Sequence, residues 1–189
     1  RYDRKDFKDF NNKVIFDVNS KKATIASNDI RYFYDELGKN QIFDFRGKVD
    51  GALNDFTINN LKLKDTRNSE IVGDVNFKNL FAKKGKGEFY MNGSFDKITS
   101  SYENLVTILP NVLGKKLPSS LKKLGQFNLK GDAQITTKSI DADFDLTTRL
   151  GTISSQLLMT DIDNIDNASY SGNIVLDNFD VGNFLNRKD

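Results

Sequence analysis

Residues 140–151, IDADFDLTTRLG, set Asp141, Asp143 and Asp145 at alternate positions, with Ala142, Phe144 and Leu146 between them. Side chains of a β-strand point alternately to its two faces, so the stretch reads as a strand with carboxylates on one face and apolar groups on the other. Successive carboxylates would lie about 7 Å apart, inside the roughly 5–9.5 Å that glycoside hydrolysis needs. A general acid also needs surroundings that raise its pKa, yet the same-face neighbours here are Ser139, Thr147 and Arg149. The aspartates therefore read as the wet side of a strand. The question of function passes to the apolar side.

The same texture extends in both directions. Short runs rich in Phe, Ile, Val and Leu are punctuated by Asn and Asp, the layout of strands joined by polar turns. Strands are expected at 13–19, 22–27, 41–53, 55–64, 69–78, 86–96, 126–137, 139–149, 151–160 and 168–177. Most have one apolar and one polar face, as in an antiparallel meander. Two regions change period. In NDIRYFYDELGK, Ile30, Phe33, Tyr34 and Leu37 share a helical stripe over 29–37, with Asn28 as N-cap and Gly38 as stop. In SSYENLVTILPNVLG, Ser100 and Glu103 read as a capping box ahead of Leu105, Ile108, Leu109 and Val112, with Pro110 expected to kink or shorten the helix. A further helical stretch is expected at 117–125, with Pro118 near its start. These helices are expected to pack against the sheet; a lipid-surface or partner helix is the alternative.

The fold class expected is mainly β: a curled antiparallel meander of about ten strands, forming a repeating β-groove, with two short helical inserts. In segments, this gives a β portion at 1–98, a helical insert at 99–125, and a second β portion of the same curled sheet at 126–189. An apolar–x–Gly–polar–apolar pattern recurs as FRGKV (45–49), IVGDV (71–75), MNGSF (91–95), LKGDA (129–133) and YSGNI (170–174). Period two puts Gly47, Gly73, Gly93, Gly131 and Gly172 on the apolar face. Glycine weakens a strand interior unless the sheet bends or another backbone approaches, so these positions are expected on the concave side. An apolar concave face must be buried by closure or a second sheet, or stay open as a groove for an apolar ligand; periodicity allows both.

Composition removes several function classes. The 189 residues carry 28 basic and 26 acidic side chains, a net charge of +2, and the densest basic cluster, KKGKGE at 83–88, reads as a solvated turn. No nucleic-acid partner is expected. The chain has no cysteine and no histidine, so thiol chemistry, the commonest general base and the usual zinc ligands are absent. DIDNIDN at 161–167 begins like a calcium loop, but Ile165 and Asp166 break the pattern and Gly172 stands where the bidentate glutamate belongs, so it reads as a turn. No apolar run is long enough for a transmembrane helix. The opening RYDRKDFKDF has no initiator methionine and reads as the start of an internal piece.

The region LKGDAQITTKSIDADFDLTTRLGTISSQLLMTDIDNIDNASYSGNIVLDNFDVGNFL, 129–185, resembles the repeating β-sheet segments of the AsmA-like superfamily, especially its TamB-like envelope proteins. The features that carry the resemblance are the glycine-centred strands, the unbroken two-residue amphipathicity and the strand ending LDNFDVGNFL, echoed by GDVNFKNLFA at 73–82. The resemblance implies a segment of a periplasmic, Gram-negative cell-envelope protein, anchored to the inner membrane through a part not included here. Its groove would shield phospholipid or other acyl lipid during inner-to-outer membrane lipid transport and outer membrane biogenesis, with an Omp85-type outer-membrane protein as partner. It implies no enzyme, catalytic residue, metal or cofactor. Neither the family's membrane anchor nor its partner-engaging C-terminal region has a counterpart in these residues.

Candidate groove-lining residues are Phe45, Val49, Ile71, Val75, Phe89, Met91, Phe95, Leu129, Ile135, Phe144, Leu146, Ile153, Leu157, Ile174 and Leu176. Each buried methylene of an acyl chain would contribute about 0.8 kcal/mol. The alternative is a β-sandwich-like extracellular or periplasmic interaction module with no lipid ligand, in which the same residues form a closed core. An outer-membrane barrel shares the alternation but fits poorly with the insert at 100–125 and the charged NRKD end.

Overall fold

The computed structural model describes residues 3–32, 36–81, 87–110, 118–164 and 166–187. Nine strands form one sheet in strict sequence order: β1 (Phe16–Ala26), β2 (Ile42–Ala52), β3 (Asp55–Asp65), β4 (Glu70–Lys78), β5 (Tyr90–Ser101), β6 (Gln126–Thr136), β7 (Ser139–Thr148), β8 (Gly151–Thr160) and β9 (Ser169–Asp177). Every neighbouring pair is antiparallel. The sheet is open, with β1 and β9 at its edges. Because β5 pairs directly with β6, the residues before and after the helical insert belong to the same sheet.

The nine strands bear out the expected meander of about ten; the expected strands at 13–19 and 22–27 are parts of one strand, β1. The expected break at Ser20–Lys21 is instead a register shift between Ser20 and Ala23. Extra residues in one strand bend it locally without ending it. A comparable shift occurs in each pairing from β1–β2 through β5–β6, and the ladders from β6 to β9 have no shift. The first half of the sheet is thus the more strongly bent.

Asparagine explains much of the chain's punctuation. Asn40, Asn60, Asn68, Asn79, Asn178 and Asn186, with Asp161, all hold positive φ between 50° and 68°. Their short polar side chains tolerate the left-handed region better than any other non-glycine residue. Asn60 sits in the β3 register shift; the others lie at turns or at element ends.

The helical expectations are corrected in extent. The first becomes α2 (Ser27–Ile30), after a brief α1 (Phe10–Lys13) that precedes β1, and Phe33 and Tyr34 lie outside the described residues. Asn28 does not cap the helix; it exchanges hydrogen bonds with Asn40, its amide donating to Asn40 Oδ1 at 2.9 Å. Gly38 is required by close approach, since a Cβ there would collide with the Thr107 carbonyl. The second helix, α3 (Tyr102–Ile108), is capped by Ser101, whose Oγ accepts from the Asn104 amide at 3.3 Å. Ser100 instead stays within β5, buried with its Oγ 3.0 Å from Ser69 Oγ. Pro110 lies just beyond α3, as a residue that cannot continue a helix, and Val112 falls outside the described residues. Ser119–Leu124 forms a 3-10 turn after Pro118, ended by Gly125 at φ 70°.

These helical pieces rim one end of the sheet. The Gly38 amide donates to the Ile108 carbonyl, Asn104 donates to the Arg67 carbonyl, and Arg149 Nε donates to the Lys123 carbonyl. Lys123 Nζ donates to the carbonyls of Asn183 and Phe184, both at 2.9 Å, fastening α4 (Val181–Leu185) to the same rim. Leu124 and Leu150 are buried there.

Candidate functional site

Directly paired residues of antiparallel strands share a face. Phe45, Leu63, Ile71, Ile98, Leu129, Leu146, Ile153 and Leu176 are successive cross-strand partners, forming one apolar rung across β2 to β9. A parallel rung runs Val49, Ile58, Val75, Gly93, Ala133, Ala142, Leu157, Gly172. Phe56, Phe77, Met91, Ile135, Ile140, Met159 and Tyr170 make a third. Gly73, Phe95, Gly131, Phe144, Ser155 and Ile174 lie between the first two. The structure therefore brings every candidate lining residue in a strand to one face. Phe89, just before β5, joins them through its ring, 6.5 Å from that of Phe77.

The recurrent glycines sit on this face too. At Gly131, φ is 140° and an added Cβ would run into the Asp143 carbonyl of the neighbouring strand. Gly93 is open in backbone terms but lies under the Phe95 ring, 2.5 Å from where its Cβ would be. An aromatic ring laid over a strand glycine fills the missing side-chain volume and pins register.

Packing of the face is uneven. Phe43, Phe56, Leu61 and Val75, all in the bent half, are buried. There Phe56 stacks near Phe77 and Phe81, with ring centroids 5.4 and 6.1 Å away. From β6 to β8 the apolar side chains of this face are only half-buried, and Ser155 is the one strand residue of it that is fully enclosed among the described residues. On β9, Ile174 and Leu176 are 66% and 47% exposed. The chain's accessible surface is 12448 Å², whereas a compact protein of 21.4 kDa would show about 9,100 Å². A single sheet, with no second layer among the described residues, accounts for an excess in this direction.

Sequence reading named no lining residue in 55–64, so Phe56, Ile58 and Leu63 were missed, and it ended the later strand at 96, short of Ile98; Leu63 and Ile98 also each follow a register shift, after Ile58 and Phe95 respectively. Beyond each shift the odd–even count changes sides. The pair Asn59–Asn60 was the available signal for the first.

The opposite face is polar. Asp141, Asp143 and Asp145 lie there, in the ladder beside Gln134, Asp132 and Lys130. Asp145 accepts from Ser154 Oγ at 2.5 Å and pairs with Lys130 at 3.2 Å, and these contacts lower its pKa, the serine bond most. Gln156 donates to Asp143 at 3.2 Å. Glu70, 14% exposed, is gripped by Lys97 at 2.9 Å, Lys64 at 3.2 Å and Lys62 at 3.3 Å. The Lys97 hydrogen bond above all, with the other two lysines, lowers its pKa to about 2 against the opposing effect of burial. Among the described residues no three His, Cys, Asp or Glu side chains are grouped to hold a metal ion, and no helix is long and apolar enough to cross a membrane. In the DIDNIDN stretch the Asn164 amide donates to the Asp161 carbonyl at 3.0 Å, a turn; Ile165 lies outside the described residues.

What the arrangement presents is an extended apolar surface. Strands of about eleven residues are roughly 36 Å long, and nine of them span roughly 38 Å across. A single-leaflet acyl layer is about 15 Å deep, so the face exceeds the length of one acyl chain in either direction. No family model, curated protein or solved structure matches this chain.

Proposed function

We propose that this chain is a segment of a periplasmic bridge-like protein that shields phospholipid acyl chains on its apolar face, serving inner-to-outer membrane lipid transport and outer membrane biogenesis. The observation that carries the reading is the apolar face running unbroken through rungs of paired side chains, half-exposed over β6 to β8. A contiguous apolar surface of this extent stabilises a bound apolar partner, and each methylene covered contributes about 0.8 kcal/mol. The charged opposite face keeps the sheet in water while the lipid tail stays out of it. The rival reading, a β-sandwich-like interaction module, needs a second sheet against this face. The single sheet of the described residues favours the groove. An Omp85-type protein as the outer-membrane partner, and the periplasm as location, rest on the resemblance of 129–185 to TamB-like segments.

The test is mass spectrometry of organic extracts from the chain purified from a bacterial periplasm, compared with a mock purification and with a Phe144→Asp, Leu146→Asp double variant shown to be folded by circular dichroism. Phospholipid recovered with the wild type and lost in the folded variant is the expected result. Phospholipid at background in both would overturn the proposal.

A further inference from the structure

Six polar side chains are buried among the described residues: Ser27, Gln41, Ser69, Thr99, Ser100 and Ser155. Five of them are hydrogen-bonded. Ser27 Oγ accepts from the Gln41 amide at 3.0 Å, Gln41 Nε2 donates to the Lys39 carbonyl at 2.8 Å, Thr99 Oγ1 donates to Asn128 Oδ1 at 2.7 Å, and Ser69 and Ser100 share a bond. Ser155, 6% exposed, makes no side-chain hydrogen bond to any described residue. Its oxygen is not sealed off: the polar side-chain atoms shut away from solvent without a partner are Asn54 Oδ1 and Asp65 Oδ2, so the Ser155 hydroxyl still opens onto the apolar face. Phe144 and Ile174 stand beside it on the neighbouring strands, and Ile153 and Leu157 on its own, which puts the hydroxyl on the floor of an apolar pit. An enclosed hydroxyl without a partner costs stability that an apolar side chain here would not. Beside the pit the face is low. Ala142, diagonal to Ser155, leads through Ala133 to Gly93, where the Phe95 ring closes the track. Three strand spacings separate β8 from β5, about 14 Å, close to the roughly 15 Å depth of one acyl leaflet.

We propose that Ser155 Oγ donates a hydrogen bond to an ester carbonyl of a bound acyl lipid, whose chain lies along the Ala142–Ala133 track toward the Phe95 ring. A chain of methylenes ending in one hydrogen-bond acceptor matches a shallow apolar track that begins at one unpartnered donor. A plain hydrocarbon would leave the hydroxyl unpaired, and a polar ligand would waste the track. The inference rests on the reading of this face as lipid-binding, and adds which group of the lipid is recognised and where. Ser155 sets specificity rather than bulk affinity, because the apolar contacts along the track are the same for an ester and for an ether of equal chain length.

The experiment is equilibrium dialysis of the whole 189-residue chain against palmitoyl lysophosphatidylcholine and against its hexadecyl ether analogue, both below the concentration at which they form micelles. The wild type should bind the ester about fivefold more tightly than the ether, the effect of one neutral hydrogen bond. Ser155→Ala should bring the two lipids within about twofold of each other by weakening the ester alone. Ser171→Ala, on the polar face of β9 opposite Leu158, should keep the wild-type preference. Unfolding curves verify that each variant is folded, and Ser155→Ala should lose no stability without lipid, since its hydroxyl has no protein partner to lose. Equal binding of ester and ether by the wild type, or a preference that survives in Ser155→Ala, overturns this inference while the lipid-binding reading stands. Binding of neither lipid by the wild type overturns both.

Discussion

An apolar face open to solvent should tolerate a charge that a closed core would not, and two positions in the same sheet allow the comparison. Val75 is 3% exposed, in the bent half. Leu146, on β7, is half-buried on the same face. Val75→Asp would bury a carboxylate without a partner and should cost at least about 4 kcal/mol, a large part of the 5–15 kcal/mol that holds a typical domain together. Leu146→Asp loses only part of a leucine's burial and some strand propensity, while its carboxylate can reach water. The expected cost is about 1–2 kcal/mol. Urea unfolding followed by circular dichroism measures both, and with a slope of about 2 kcal/mol per molar the Leu146→Asp midpoint should fall by roughly 0.5–1 M with the slope unchanged. Equal destabilisation by the two substitutions would refute the reasoning, because it would mean that something covers β7 as fully as β4.

Three further outcomes follow from local geometry. Glu70, its pKa held at about 2 against the usual 4.5, contributes stability that is complete above pH 4.5 and is lost as pH falls from there toward 2. Screening around the half-exposed lysines reduces this to about 1–2 kcal/mol, so Glu70→Gln should destabilise by that amount at pH 7 and hardly at all near pH 2, read from urea midpoints. Gly131→Ala forces a Cβ to 2.7 Å from the Phe144 Cα at a φ of 140°; a loss of about 2–4 kcal/mol is expected in the same assay, against about 1 kcal/mol or less for Ala133→Gly nearby. Lys123→Met removes the donor to the Asn183 and Phe184 carbonyls; amide exchange should quicken at 181–187 while global stability moves by no more than about 1 kcal/mol.

The alternation around Asp141–Asp145 was enough to expect a meander with one wet and one apolar face, because period two is a direct consequence of strand geometry. The glycines Gly73 and Gly131 were legible for a related reason: a missing side chain on an apolar face implies close backbone approach, and both meet the neighbouring strand. Register shifts were not legible. The polar Ser20–Lys21 pair reads as a break between strands, and the pairing of Ala23 with Phe45, which makes the site a bulge, is a long-range fact. The helix caps were misplaced by one residue or more because several residues at each start could accept a backbone hydrogen bond. Ser100 is paired within β5 with its hydroxyl against Ser69 of the neighbouring segment, and Ser101 takes the cap. Which half of the face is packed was hidden as well: the buried Phe56 and Val75 lie in the half that carries the register shifts, which the sequence does not display.

The central claim is that the face bearing Leu157 contacts lipid and the face bearing Gln156 does not. These residues are adjacent on β8 and point to opposite sides, with Gln156 exposed beside Asp143 and Leu157 paired with Ala142. Replacing each in turn with a photoreactive benzoylphenylalanine in cells whose phospholipids are isotopically labelled, then irradiating and purifying the chain, measures the contact directly. The account predicts a labelled adduct from position 157 and none from position 156. Equal labelling at both positions, or labelling at 156 alone, would contradict it.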